Sequence, residues 1–501
     1  MAILLRSTVP LGLLLDLYIT VPAADSTELF IAGAWRAPAD GATFEATSPA
    51  TGERLGAVAE GGRADAAEAV AAAVSAFRGW SNETAFARAR ALHRVADACA
   101  ARREELARAA TLDQGKPVRE ALDEVDELIA MWRGAAEDGV RLEGAIPPSS
   151  APGKRVLVLR RAVGPVAVVT PWNWPYTMPA ELIAPALAVG NSVVWTPAPT
   201  TAHCSALLAE CLVEADLPPG VFNFVTGPGP VVGDALVGHP DVAAVGFIGS
   251  TATGLRIAQR AAGKRLLLEM GGNGPLVVLD DADLEAAADA AVVGCFLCAG
   301  QSCTAAERIL VHERVREEFV ARLAARVESD VQLGDPRLAA TVLGPLNNPG
   351  VASKMDEHVA DAVARGARVV AGGQRAAGFP TDLYWPATIL DGVPVQALAA
   401  TEETFGPIAP IVSIDSLERA IELTNASPYG LLAAVFTADL ARGLRFADEA
   451  RTGLVNINET TNYWENHLPF GGRAGSLSGV GRVGGRYPFD ALTDLQTVVI
   501  G

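Results

Sequence analysis

Three short stretches carry residue types that can do chemistry together. Gly300-Gln301-Ser302-Cys303 puts a thiol in a glycine-rich turn after a helical run. As a thiolate, Cys303 could attack a carbonyl carbon and later serve as a leaving group. Read alone, a buried structural thiol is the commoner case. Leu267-Leu268-Glu269-Met270-Gly271-Gly272-Asn273 sets Glu269 in an apolar run at a strand end. A carboxylate there resists ionisation, and a raised pKa suits a general base near neutral pH. The plain alternative is a glutamate capping a turn. Thr170-Pro171-Trp172-Asn173-Trp174-Pro175 places an amide at the end of a strand, where it can donate to an oxyanion. Its plain alternative is a rigid aromatic turn.

These residues need elements to position them. Short apolar runs ending in turn residues lie at 166–170, 192–196, 221–227 and 242–250, with helical segments between them. Strand and helix in alternation predict βαβ units on a parallel sheet, whose carboxyl ends would receive a nucleotide. A second alternation starts near 275–283 and continues through 308–315, 367–373 and 409–415. Upstream, 29–36 reads as a first strand and turn. The stretches 62–110 and 118–139 have helical periodicity and read as scaffold. The strand-like segments 156–161 and 493–501 read as an arm that needs a partner, so oligomerisation is expected.

Composition narrows the partners. The chain has 501 residues, half of them hydrophobic, enough for more than one core. Its net charge of −18 repels phosphate backbones and anionic lipid, so neither nucleic acid nor a membrane is expected as a partner. Six cysteines in a chain this long form no disulfide framework. Cys295 and Cys298 make a C-x-x-C without a second pair or nearby histidines, so no metal site is expected. The run into them reads as a helix, and both thiols are expected to pack. The first 25 residues resemble a signal peptide, but Pro10 and Asp16 interrupt the apolar run. The expectation is an extension or an over-long start, and a cytoplasmic protein.

Taken in this order and spacing, the three stretches resemble the aldehyde dehydrogenase superfamily. Glu402-Glu403-Thr404-Phe405-Gly406-Pro407 and Pro469-Phe470-Gly471-Gly472 extend the likeness, which runs from about residue 29 to the end. It implies an α/β fold with a Rossmann-like cofactor domain, a second α/β catalytic domain and a small β oligomerisation arm. The expected division is 1–28 as an extension, 29–140 and 163–271 for the dinucleotide, 272–470 for catalysis, and 141–162 with 486–501 for the arm. A homodimer or homotetramer is expected.

The resemblance also implies roles. Cys303 would attack the aldehyde, with Asn173 and the Cys303 N–H holding the oxyanion of the thiohemiacetal. Hydride transfer would leave a thioester, and Glu269 would deprotonate the water that hydrolyses it. A CoA-acylating relative typically lacks that base, so Glu269 favours a free acid as product. The remaining alternative is a catalytically silent homologue, against which Cys303, Glu269, Asn173 and Glu403 all argue.

For NAD or NADP, Gly249 and Ser250 open a helix after a strand, where N–H groups would meet the pyrophosphate. By resemblance, Trp172 and Ser250 lie on the pyrophosphate side. Gly229 gives close backbone approach near the adenosine, Glu403 binds the nicotinamide ribose and Phe405 packs by the ring. Thr196 and Pro199 stand where the family commonly has a Lys and a Glu on the adenine ribose. Losing that Glu removes a charge that would repel a 2′-phosphate; NAD is slightly favoured, without strict preference. The aldehyde tunnel is expected near Trp174, Met178, Leu297, Trp464 and Phe470, a lining that suits an apolar or aromatic aldehyde. Asn462, Tyr463, Glu465 and His467 lie near its mouth. A carboxylate-bearing substrate would need a cation there, and Arg473 is the candidate.

Overall fold

The computed structural model describes residues 26–501, so the question of the N-terminal extension lies outside the described residues. Two large sheets organise the chain. The first has eight strands, in the order 479–480, 265–269, 244–248, 165–169, 192–196, 222–224, 29–31 and 34–36. Its five central strands are parallel. Pro165–Val169, Ser192–Thr196 and Ala244–Ile248 are almost wholly buried, which is why they read as continuous apolar runs rather than alternating ones.

Helices cover both faces of this sheet. Arg63–Asn82 packs on one face, and Thr177–Ala188 packs on the other beneath Val118–Val140 and Ala85–Ala101. The hairpin Leu29–Ile31 and Ala34–Arg36 closes one edge. At the other edge the late strand Gly479–Val480 returns to pair with Arg265–Glu269.

The second sheet has seven strands, in the order 368–371, 388–391, 408–414, 308–312, 275–278, 432–436 and 454–457. All its pairs are parallel except the first. Leu276, Ile309, Leu310, Ile411 and Val435 are fully buried between its helical layers. A separate two-stranded ribbon pairs Arg155–Ala162 with Thr493–Ile500 over eight residues. It leaves Leu495 64%, Val499 57% and Ile500 49% exposed.

Two features depart from the sequence reading. Strands Thr43–Thr47 and Arg54–Ala59 pair in a small sheet that the sequence reading did not include. Cys298 is not helical: the helix ends at Phe296, and Cys298 and Ala299 adopt left-handed φ of 53° and 54° in the turn that follows. Among the described residues, no helix is long and apolar enough to cross a membrane, and no group of three or more His, Cys, Asp or Glu could hold a metal ion.

Candidate active site

The site lies between the carboxyl ends of the first sheet and the turn after helix Leu284–Phe296. Glu269 is the last residue of strand Arg265–Glu269 and is 4% exposed. Burial pushes its carboxyl up to about 8, with Glu403 raising it further and a hydrogen bond from the Cys303 thiol opposing. Its Oε1 has no protein partner. Burial first, then the neighbouring Glu269, Glu181 and Glu403 carboxylates, push the Cys303 thiol well above its ordinary value.

Glycine is required where this turn meets the sheet. A Cβ on Gly272 would strike the Cys303 carbonyl, and one on Gly271 would sit 2.6 Å from a Glu403 carboxylate oxygen. No larger residue fits between these groups. Asn173 is 3% exposed, and its Nδ2 donates to the Gln301 carbonyl at 3.0 Å. That bond uses one amide hydrogen and fixes the direction of the other. Among the described residues, no carbonyl or side chain accepts from the Cys303 N–H. Asn173 itself follows its strand by four residues instead of ending it.

Two cavities meet at Cys303, Glu269 and Met178. The first, about 800 Å³, is lined by Trp172, Gly249, Ser250, Lys354, Glu403 and Phe405 among others. Ser250 caps helix Thr251–Arg260, its Oγ accepting from the Thr253 N–H, so the helix N-terminus faces this cleft. The Glu403 Oε1 accepts from the Gly272 N–H at 2.8 Å, and Lys354 donates to the Glu403 carbonyl at 3.1 Å. Phe405 has a φ of +60° and meets Trp172 edge-on at 5.5 Å. That strained backbone is held by buried Glu307, which accepts from the Thr404 and Phe405 N–H groups at 2.8 and 2.9 Å. An anion-binding helix start, a fixed carboxylate and an aromatic corner suit a dinucleotide.

Not every expected cofactor contact lies here. Thr196 is 2% exposed inside the sheet and does not line the cleft. Gly229 is exposed at the start of a helical turn, outside the lining of this cavity, where a Cβ would meet no protein atom within 4 Å.

The second cavity, about 600 Å³, brings together all five expected tunnel residues: Trp174, Met178, Leu297, Trp464 and Phe470. Trp464 and Phe470 pack at 5.3 Å. Asn462 lines it too, with its Nδ2 donating to the Val293 carbonyl. Arg473, the candidate cation for a carboxylate-bearing substrate, is exposed and is not among the residues that line this cavity.

Several residues escaped the sequence reading. Lys116 and Glu124 form a 2.6 Å ion pair with both side chains 0% exposed. The Lys116 ammonium lies 3.6 Å from the Trp174 ring centroid, and Glu124 accepts from the Tyr176 N–H at 2.8 Å. The pair therefore clamps the segment that carries Asn173. Glu127 and Glu181 face the tunnel cavity. Glu181 was findable: like Glu269, it is a lone carboxylate in an apolar run, here helix Thr177–Ala188.

Cys298 is the nearest rival thiol, but it is 1% exposed, lines neither cavity and packs against the Gln114 amide and the Asn173 carbonyl. Burial pushes it up to about 12.

A family model described as the aldehyde dehydrogenase family matches residues 35–498. The chain is 38% identical to a 3-sulfolactaldehyde dehydrogenase from Pseudomonas putida, over 96% of this chain and 98% of that one. It is 36% identical to an NADP(+) succinate-semialdehyde dehydrogenase from Escherichia coli, over 95% and 98%. The crystal structure of a Staphylococcus aureus betaine aldehyde dehydrogenase in complex with NAD+ superposes with a TM-score of 0.92 at 32% identity, covering 95% of each chain. The chain belongs to the aldehyde dehydrogenase family and is an oxidoreductase that acts on aldehydes with NAD or NADP.

Proposed function

We propose that this enzyme oxidises its aldehyde through a thioester on Cys303 and hydrolyses that thioester to the free acid with Glu269. One observation carries the reading: Cys303 and Glu269 stand together where the two cavities meet. The Cys303 thiol gives its proton up to solvent as its sulfur adds to the aldehyde carbon, and the carbonyl oxygen becomes an oxyanion held by the free Asn173 amide hydrogen and the Cys303 N–H. A nicotinamide cofactor held in the first cavity would supply the hydride acceptor that takes the thiohemiacetal to a thioester. The thioester that remains on Cys303 is attacked by water, whose proton goes to Glu269, and the thiol departs. Aldehyde, water and oxidised cofactor thus give acid, reduced cofactor and one proton.

Gly249, Ser250 and Trp172 would hold the pyrophosphate side, Glu403 the nicotinamide ribose, and Phe405 the ring. Pro199 stands exposed with no carboxylate to repel a 2′-phosphate, which favours use of both cofactors. The division at 141–162 and 486–501 separates off the ribbon, whose exposed apolar residues suit pairing in a homo-oligomer. We place the enzyme in the cytoplasm, where six unpaired thiols are stable. The relatives' names put small semialdehydes forward as substrates; the lining of the second cavity decides among them. The test is reduced-cofactor formation at 340 nm with aldehyde panels and each cofactor. Turnover with equimolar acid release supports the reading. Acid release that requires added CoA, or no turnover by folded enzyme, would contradict it.

A further inference from the structure

The second cavity has an unusual charge balance for a pocket this buried. Glu181 is 7% exposed and lines it, yet makes no hydrogen bond or ion pair with any described residue. Glu127, half-buried on helix Val118–Val140, faces the same space and is equally unpaired. A neighbouring cavity shares Glu181 and Met131 and adds Asp138. Among the described residues, no lysine or arginine lines either cavity, and the one basic side chain is the exposed His467. Lys116 lies nearby against Trp174, but its charge is matched by Glu124.

A buried carboxylate without a partner is costly, and two other buried acids of this chain are tied down. Glu307 holds two backbone N–H groups and Glu124 holds Lys116. Glu181 has nothing of the kind, and it points at the space that the substrate must fill. Trp174, Trp464 and Phe470 supply aromatic surface around the same space. Carboxylate plus aromatic surface is the chemistry that recognises an organic cation. An anionic aldehyde would instead bring its charge against two acids with no cation to offset it.

We propose that the substrate is an aldehyde with an ammonium group remote from its carbonyl, held by Glu181 with support from Glu127. This rests on the oxidation at Cys303 proposed above. Burial, together with the nearby Glu269 and Glu127, raises Glu181 well above the ordinary carboxyl range, and an ammonium beside it would favour its charged form. The protein's net charge of −18 steers cations toward it. The aldehyde end remains free to reach Cys303 beside Met178.

Three aldehydes of comparable size test this: 3-aminopropanal, butanal and succinic semialdehyde, compared by kcat/KM at 340 nm. The expected order is ammonium over neutral over carboxylate, with the first two about tenfold or more apart, the size of one charged hydrogen bond. Glu181→Gln should bring the ammonium-to-neutral ratio down by about tenfold, and Glu127→Gln by less. Equal rates for 3-aminopropanal and butanal, or preference for succinic semialdehyde, would overturn the proposal. So would an unchanged ratio in a folded Glu181→Gln enzyme. If that variant does not fold, the wild-type order and Glu127→Gln decide. Absence of turnover with all three aldehydes would instead strike the oxidation reading beneath.

Discussion

The two cavities that meet at Cys303 treat their acids in opposite ways. In the cofactor cavity, Glu403 accepts from the Gly272 N–H and has Lys354 beside it. Glu307 behind it is saturated by the Thr404 and Phe405 N–H groups. In the second cavity, Glu181 and Glu127 have no hydrogen bond or ion pair with any described residue. A tied carboxylate is already spent on positioning, as Glu307 is spent on the strained Phe405 backbone. An untied buried one is available to a ligand, because only a ligand can repay its desolvation. Glu269 sits between these cases: it touches Cys303 on one side and leaves Oε1 unpartnered. That half-tied state suits a group that must take up and release a proton.

Substitutions can break this contrast at graded depth. Cys303→Ala should reduce turnover by about 10⁴-fold or more while cofactor binding survives, as read by steady-state rates and cofactor titration. Asn173→Ala should cost about 10²–10³-fold in kcat, the usual size for one oxyanion donor, with KM for the cofactor little changed. Lys116→Met tests the tied side. It strands Glu124 without a counter-charge beneath the Tyr176 N–H, and should cost about 3–5 kcal/mol in denaturant unfolding.

The smallest effect is a pH dependence. Glu269 is raised to about 8, so below that pH it is protonated and cannot serve as base. The hydrolytic rate should fall about tenfold per unit as pH drops below this value. Glu269→Gln should remove this limb.

Much of this arrangement was legible in the sequence, for physical reasons that also explain the gaps. Glu269 and Cys303 were found because a lone carboxylate in an apolar run and a thiol in a glycine turn stand out from their surroundings. All five tunnel residues do converge on one cavity. Glu181 carried the same signal as Glu269 and was missed, because along an apolar helix such as Thr177–Ala188 spacing does not separate cavity from core. The Lys116–Glu124 pair was invisible for the opposite reason: both residues sit in charged stretches where pairing partners abound. Thr196 and Gly229 were placed by likeness alone, and neither lines the cleft. Strand Thr43–Thr47 does alternate polar and apolar residues, but over five positions only, and its partner Arg54–Ala59 does not alternate. The left-handed turn at Cys298 and Ala299 runs against local propensity and is imposed by packing around Gly300, whose Cβ would strike the Gly406 carbonyl.

The central claim is that the reaction runs through a thioester on Cys303 that Glu269 resolves. It is tested most directly by mixing Glu269→Gln enzyme with cofactor and aldehyde and taking intact and peptide mass spectra after one turnover. The account predicts one reduced cofactor per site, slow acid release, and an acyl group on the peptide carrying Cys303. An acyl group on Cys298, or full turnover with no trapped acyl-enzyme, would contradict it.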